Sequence, residues 1–159
     1  MILFKIICAF IIAGVFSNLV EWLTHKYILH GLGKNKKSWF HFHWQHHHIS
    51  KKHNFIDEDY KLGFLKSSSF RREVFSLIGI LILNFWILFI WPLVFYFCIF
   101  FTVLYFFCHA YSHINPDWCK KYLKHHWQHH MGKNQDLNFC VTFPLWDHIL
   151  KTRKYYKID

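Results

Sequence analysis

The chain has 159 residues, 53% of them apolar and 22% aromatic, and a formal net charge of +10; this length suits a single domain, residues 1–159. Its five cysteines (Cys8, Cys98, Cys108, Cys119 and Cys140) are odd in number and include no Cys-x-x-Cys, so they fit reduced packing residues rather than a disulfide framework or a thiolate metal site. No Gly-x-Gly-x-x-Gly occurs among the six glycines, which argues against a built-in nicotinamide or flavin site.

The first element, about residues 2–22, is apolar apart from Lys5, Ser17, Asn18 and Glu21. It has the length of a membrane span. Lys5 is the only basic residue ahead of it and no small-x-small cleavage site follows, so a retained helix is expected rather than a signal peptide. His25 and His30 come next. Five residues apart, they lie roughly 140° around an α-helix, so they share one centre only if the helix frays near Gly31 or wraps broadly around the site. Glu21, one turn before His25, is either an acceptor that orients this ring or an interfacial carboxylate with no role.

The segment 34–72 carries nine of the 19 Lys and Arg residues and the pentapeptide His43-Trp-Gln-His46-His47. On a helix its three imidazoles span an arc of roughly 100° and can converge on one metal or one metal pair. From Val74 to Phe107 the chain has 34 residues and no charge. One straight helix of that length overshoots roughly 30 Å of hydrocarbon, and Trp91-Pro92 sits in the middle. A hairpin of two spans, about 74–90 and 93–110, is therefore expected, the alternative being one long kinked helix. His109 and His113, four apart, share a face near its end. The segment 120–159 repeats the pentapeptide as His126-Trp-Gln-His129-His130 and holds eight more basic residues.

This charge segregation predicts that 34–72 and 120–159 form a cytoplasmic cap, with the N-terminus and the turn at Trp91 outside. All ten histidines of the repeated pattern then fall on the cytoplasmic side. The net charge is explained by topology and anionic lipid head groups, so no nucleic-acid partner is expected. The expected fold is all-α, an integral membrane protein with three transmembrane helices and a helical cap.

His25, His30, His43, His46, His47, His109, His113, His126, His129 and His130 follow a 2, 3, 2, 3 order. A closed structural zinc site needs only four ligands. Ten suggest two metals with about five ligands each and room for an oxygen-derived ligand. Imidazole alone does not name the metal. At a membrane surface the chemistry that most needs such a centre is oxidation of an unactivated C–H bond in a lipid, which favours two irons, with zinc able to replace them in a purified sample. His41, His48, His53, His125 and His148 fall outside the spacing and read as surface or supporting residues, with His41 and His125 the best candidates to assist. A metal transporter is the rival from another class. Transporters place ligands within the spans, whereas Val74–Phe107 holds only Asn84 and Thr102 as amide or threonine groups. A non-catalytic metal-binding member is the remaining alternative.

With these residues in place, the chain resembles the fatty acid hydroxylase/sterol desaturase superfamily of integral-membrane di-iron oxidoreductases. The resemblance runs through four boxes: Glu21-Trp-Leu-Thr-His25-Lys-Tyr-Ile-Leu-His30-Gly31, His43 to His47, His109-Ala-Tyr-Ser-His113, and His126 to His130. It continues into the tail around Pro144-Leu-Trp146-Asp147. It implies a lipid hydroxylase or desaturase that uses dioxygen, with electrons from a separate ferredoxin- or cytochrome b5-like protein. The three-residue gap of the third box and the tail are similar to fatty acid 2-hydroxylases and sterol-modifying members. The short chain and the first box are similar to bacterial β-carotene hydroxylases.

Overall fold

The computed structural model describes residues 1–156; the last three positions of the expected cap, 157–159, lie outside the described residues. All regular structure among the described residues is helical. Helix α1 (Ile2–Leu23) is apolar on every side, and Ile7, Ile11 and Phe4 stand exposed on its outer face. A helix without a polar face suits lipid rather than water. Its inner face is built from Ala9, Ala13 and Gly14, small residues that let another backbone approach. A methyl group at Gly14 would sit 2.9 Å from the Phe101 ring, so this position must stay bare for the helices to meet.

The chain continues without a break into a π-helical turn (Thr24–Leu29) and two 3₁₀ turns (Leu32–Lys34 and Trp39–His41). Ser38 starts the second of these by accepting the Phe40 N–H at 3.2 Å, and α2 (Phe42–Lys52) follows with the first pentapeptide. After a loop come α3 (Asp59–Lys66) and α4 (Ser68–Leu83). They are separated by Ser67, whose hydroxyl accepts the Phe70 N–H at 3.0 Å as an N-cap.

The hairpin reading of 74–107 meets a break where Pro92 predicts it. Trp91 leaves the helical region (φ −139°, ψ 77°), consistent with the bias of the residue before a proline away from helix, and α6 (Pro92–Ile114) starts with Pro92 in its first turn. The two arms are unequal, however. At 23 residues α6 spans about 34 Å, enough for a bilayer. The expected span 74–90 is not one helix: α4 ends at Leu83, residues 84–86 turn, and α5 (Ile87–Ile90) is a single turn. Asn84 marks the break, its amide donating to the Ile80 carbonyl at 2.8 Å. Among the described residues, two helical stretches are long and apolar enough to cross a membrane: Ile2–Lys34, counting its irregular turns, and Pro92–Ile114.

Beyond α6 the chain folds back through α7 (Pro116–Tyr122) into α8 (Lys124–Met131), which carries the second pentapeptide beside α2. The tail ends in α9 (Leu145–Ile149). The apolar core between the long helices is Ala9, Ala13, Ile87, Val94, Phe95, Cys98 and Phe101. The cap has a different centre, where the buried side chains are mostly imidazoles, with Phe55, Phe139 and Trp127 around them. All five cysteines are free, as expected.

The tail is pinned by Asp147. Its buried carboxylate accepts the N–H groups of Phe139 (2.9 Å) and Cys140 (2.8 Å) and the Thr152 hydroxyl (2.6 Å). Removing it leaves two buried backbone donors unpaired, at about 1–3 kcal/mol each. Asp147→Ala should therefore melt several degrees below wild type in detergent. An unchanged melting temperature would mean that this clamp contributes nothing.

Candidate metal centre

The ten histidines of the repeated pattern are all buried, and they separate into two clusters. In the first, His25, His30, His43, His47 and His129 each offer a ligand atom, all within 4.8 Å of one another. Their Nε2 atoms lie 3.0 Å apart for His25 and His43, for His43 and His47, and for His47 and His129. His30 Nε2 stands 3.2 Å from those of both His47 and His129. The second cluster holds His46, His109, His113 and His130 on the same criterion. His126 adjoins it, with its Nε2 3.2 Å from that of His113, which is 2.8 Å from that of His46.

The two pentapeptides are crossed. Helix α2 sends His43 and His47 to the first cluster and His46 to the second. Helix α8 sends His126 and His130 to the second and His129 to the first. Helix geometry accounts for this: residues four apart lie within about 40° of each other, whereas the middle histidine, at the fourth position, lies on the far side of the first, about 100° from the fifth. Packed side by side, α2 and α8 can thus each supply both clusters. The first cluster is completed by the pair before α2 and the second by the pair at the end of α6.

His25 and His30 reach one centre without fraying. The turn Thr24–Leu29 is π-helical and the His30 N–H donates to the His25 carbonyl at 2.9 Å. An i→i+5 repeat widens the turn until residues five apart stack on one face. Gly31 follows by necessity, because a Cβ there would lie 2.2 Å from the Tyr27 carbonyl oxygen.

Each cluster is oriented from outside. His25 Nδ1 donates to the Phe139 carbonyl (2.5 Å), His129 Nδ1 to that of Leu137 (2.7 Å) and His113 Nδ1 to that of Phe55 (3.0 Å). Three carboxylates do the same work. Asp57 Oδ2 lies 2.5 Å from His46 Nδ1, Glu73 Oε1 2.7 Å from His109 Nδ1, and Asp136 Oδ1 3.0 Å from His30 Nδ1. Tyr60 donates its hydroxyl to the other oxygen of Glu73. A neutral ring whose Nδ1–H is donated outward must present a bare lone pair at Nε2. Six of the ten rings are fixed in this way, and the Nε2 atoms of five of them, all but His109, lie 2.8–3.2 Å from another imidazole nitrogen.

Burial, reinforced by neighbouring imidazoles, holds His43, His47, His126, His129 and His130 well below the usual histidine range, so these rings are neutral. Burial raises the carboxyls of Asp57 and Asp136. Their bonds to His46 and to His30 and Lys34 outweigh it and leave both below the ordinary aspartate value. Bare lone pairs crowded about 3 Å apart repel one another unless a cation lies between them. Two nitrogens bound at about 2.1 Å and at right angles stand about 3.0 Å apart, which matches the observed spacings. Both nitrogens of His130 and Nε2 of His109 are buried with no protein partner. The donor set fits metal ions.

A cavity of about 520 Å³ leads away from this centre. His25, His43, His46 and His109 line one end, and the walls run between α1, α4 and α6 past Gly79, Thr102 and Phe101 to Asn84.

One reading of the sequence changes. Glu21 does not touch His25. Its carboxylate accepts from the Val141 and Thr142 N–H groups, the Thr142 hydroxyl and Asn18, and so fixes the loop that presents the Phe139 carbonyl to His25. His41 and His125 do not join the clusters; their rings bond the carbonyls of Gly33 and Val141, both at 2.8 Å. His48, His53 and His148 are exposed. Asp57, Glu73, Asp136 and Tyr60 were missed because no spacing rule links them to the boxes. The one available signal was the scarcity of acids, nine against 19 basic residues.

The profile of the fatty acid hydroxylase family matches residues 10–152. The chain belongs to this family, within the sterol desaturase/fatty acid hydroxylase superfamily. No match was found among curated proteins or among solved structures. A family of hydroxylases, together with two membrane-length helices, makes this an integral membrane protein and an enzyme of the oxidoreductase class.

Burial pushes His125 from its ordinary 6.5 down to about 4. The unfolded chain therefore takes up a proton that the folded one refuses. The stability this ring contributes is complete above about 6.5 and is lost as pH falls toward 4. His43, His47, His126, His129 and His130, held low by the same burial, act in the same direction. Chelator-stripped protein should melt progressively lower from pH 7 to 5 in a thermal scan; a flat profile would contradict neutral buried rings.

Proposed function

We propose that the chain is a di-iron oxygenase that hydroxylates or desaturates a C–H bond of a lipid, most simply a fatty acyl chain. The observation that carries this reading is the meeting of two imidazole clusters with the end of an apolar cavity set between long apolar helices. His25, His30, His43, His47 and His129 would hold one metal, and His46, His109, His113, His126 and His130 the other. Iron at these positions supplies the reductive activation of dioxygen that C–H oxidation requires, and zinc can occupy the same nitrogens in a purified sample.

The chain's own residues supply binding and positioning. Phe101, Ile80 and Leu81 line the cavity and give an alkyl chain an apolar path toward His109 and His46. Asp57, Glu73 and Asp136 hold their rings in one tautomer and raise the donor strength of the ligating nitrogens. The tail packs Phe139 against the rings of His25, His30 and His129 and so covers one side of the first cluster. Electrons come from a separate donor such as a ferredoxin or a cytochrome b5. Charge segregation supports three crossings with the cap, and with it the metals, on the cytoplasmic face.

A cavity whose histidines and two carboxylates, Glu21 and Glu73, gather toward one end, with apolar and neutral polar groups along the helices beyond them, speaks against a transport path.

Elemental analysis of detergent-extracted protein should give two metal ions per chain; one or none would overturn the two-metal reading. In membranes of equal protein content, His129→Ala should lose at least about 10–100-fold of its lipid oxidation, the loss typical for supporting residues alone. His53→Ala, altered at an exposed site, should keep its activity. Equal activity of the two variants would refute the ligand assignment. A reporter active only outside the cytoplasm, fused to the C-terminus, should stay silent, and a signal would reverse the topology.

A further inference from the structure

Gly79 lies inside α4, where neither turn geometry nor packing explains it. A glycine in a helix interior costs about 1 kcal/mol relative to alanine. A methyl group built on Gly79 meets nothing within 4 Å, in contrast to Gly14, where it strikes Phe101. The backbone there is ordinary helix. What the missing side chain leaves open is the cavity that Gly79 lines.

The depth of this point follows from helix rise. The cavity extends along α4 from Glu73, beside His109, to Asn84, which is about 16 Å at 1.5 Å per residue. Along α1, Gly14 to His25 covers the same distance, as does Cys98 to His109 along α6. Gly79 lies about 9 Å from the metal end. Thr102, on the facing wall formed by α6, lies about 10 Å from His109. The Thr102 hydroxyl donates to the Cys98 carbonyl in its own helix at 2.9 Å, so it makes no demand on a ligand. Two small side chains thus face the cavity at one level, halfway along.

We infer that Gly79, with Thr102 opposite, sets the length of alkyl chain the enzyme accepts, by keeping the outer half of the cavity open to a linear chain. This rests on the cavity being the lipid site proposed above. With carbon–carbon bonds of about 1.5 Å, a zigzag chain advances about 1.25 Å per carbon. The full cavity then holds about 13 carbons beyond the metals, and the part inside Gly79 about seven.

The test is binding, which needs no turnover and no electron donor. Purified metal-loaded wild type, Gly79→Ala, Gly79→Leu and Thr102→Leu are titrated with saturated fatty acids of graded length, by displacement of a fluorescent polyene fatty acid. Metal content is measured in parallel. Wild type should gain affinity with each carbon to about 13 and then level off. Gly79→Leu should level off near seven and bind longer chains at least about 10-fold more weakly, having lost burial of several methylenes. Thr102→Leu fills the same level from the other wall and should act alike, so the idea stays testable should one variant fold poorly. Gly79→Ala should follow wild type.

Both leucine variants binding every length as wild type does, or losing all lengths equally with metal retained, would overturn the length role. A wild type that binds no alkyl chain would overturn the cavity assignment. A wild type that shows the length series yet oxidises no lipid in membranes would leave the length role standing and remove the oxygenase reading alone.

Discussion

Imidazole lone pairs pointed at one another inside a protein repel, and the rest of this fold is built around holding them there. His25, His113 and His129 give their Nδ1 protons to backbone carbonyls, and His30, His46 and His109 face carboxylates. Each outward bond commits an Nε2 to the interior with no proton to share. A buried polar atom left without a partner costs about 1–3 kcal/mol, and several such atoms meet in each cluster. A cation between them would remove that liability, and metal binding would then be coupled to folding of the cap. The apolar packing of Phe55, Phe139 and Trp127 surrounds the rings and excludes water from them.

The same arrangement explains why the cap and the long helices cannot be separated. His25 and His30 extend from α1, and His109 and His113 close α6, so the two membrane-length stretches each deliver one pair to one cluster. Helices α2 and α8, lying across them, contribute to both. The cavity then follows from the spacing of α1, α4 and α6, which meet closely at Gly14 and Phe101 and stand apart at Gly79. The site is placed where the hydrocarbon-like interior of the helices reaches the polar cap. The apolar cavity therefore opens directly onto the imidazole clusters.

Much of this was legible in the chain itself. Runs of apolar residues give helices of membrane length, Pro92 gives the break before α6, and the spacing of the histidines gives the residues that cluster. Such signals are local: helix period, proline geometry and side-chain chemistry act within a few residues. Where the reading failed, the deciding contact was distant or the backbone departed from the regular period. The span 74–90 is interrupted at Asn84, whose side chain competes for a carbonyl of its own helix. Glu21 serves a loop 120 residues away rather than the histidine one turn on.

The sequence by itself therefore determined the helical class, the ten histidines and the apolar surfaces that accompany them, because these depend on periodicity and composition. Only the tertiary structure decided which ring joins which cluster. The crossing of the two pentapeptides requires α2 and α8 to lie side by side, and the pairing of His25 with His30 requires a π turn that ordinary helix spacing forbids. It also decided which acids orient the rings, since Asp57, Glu73 and Asp136 reach His46, His109 and His30 across 11, 36 and 106 positions of chain. Contacts of that kind depend on how the helices pack, and no period in the sequence encodes them.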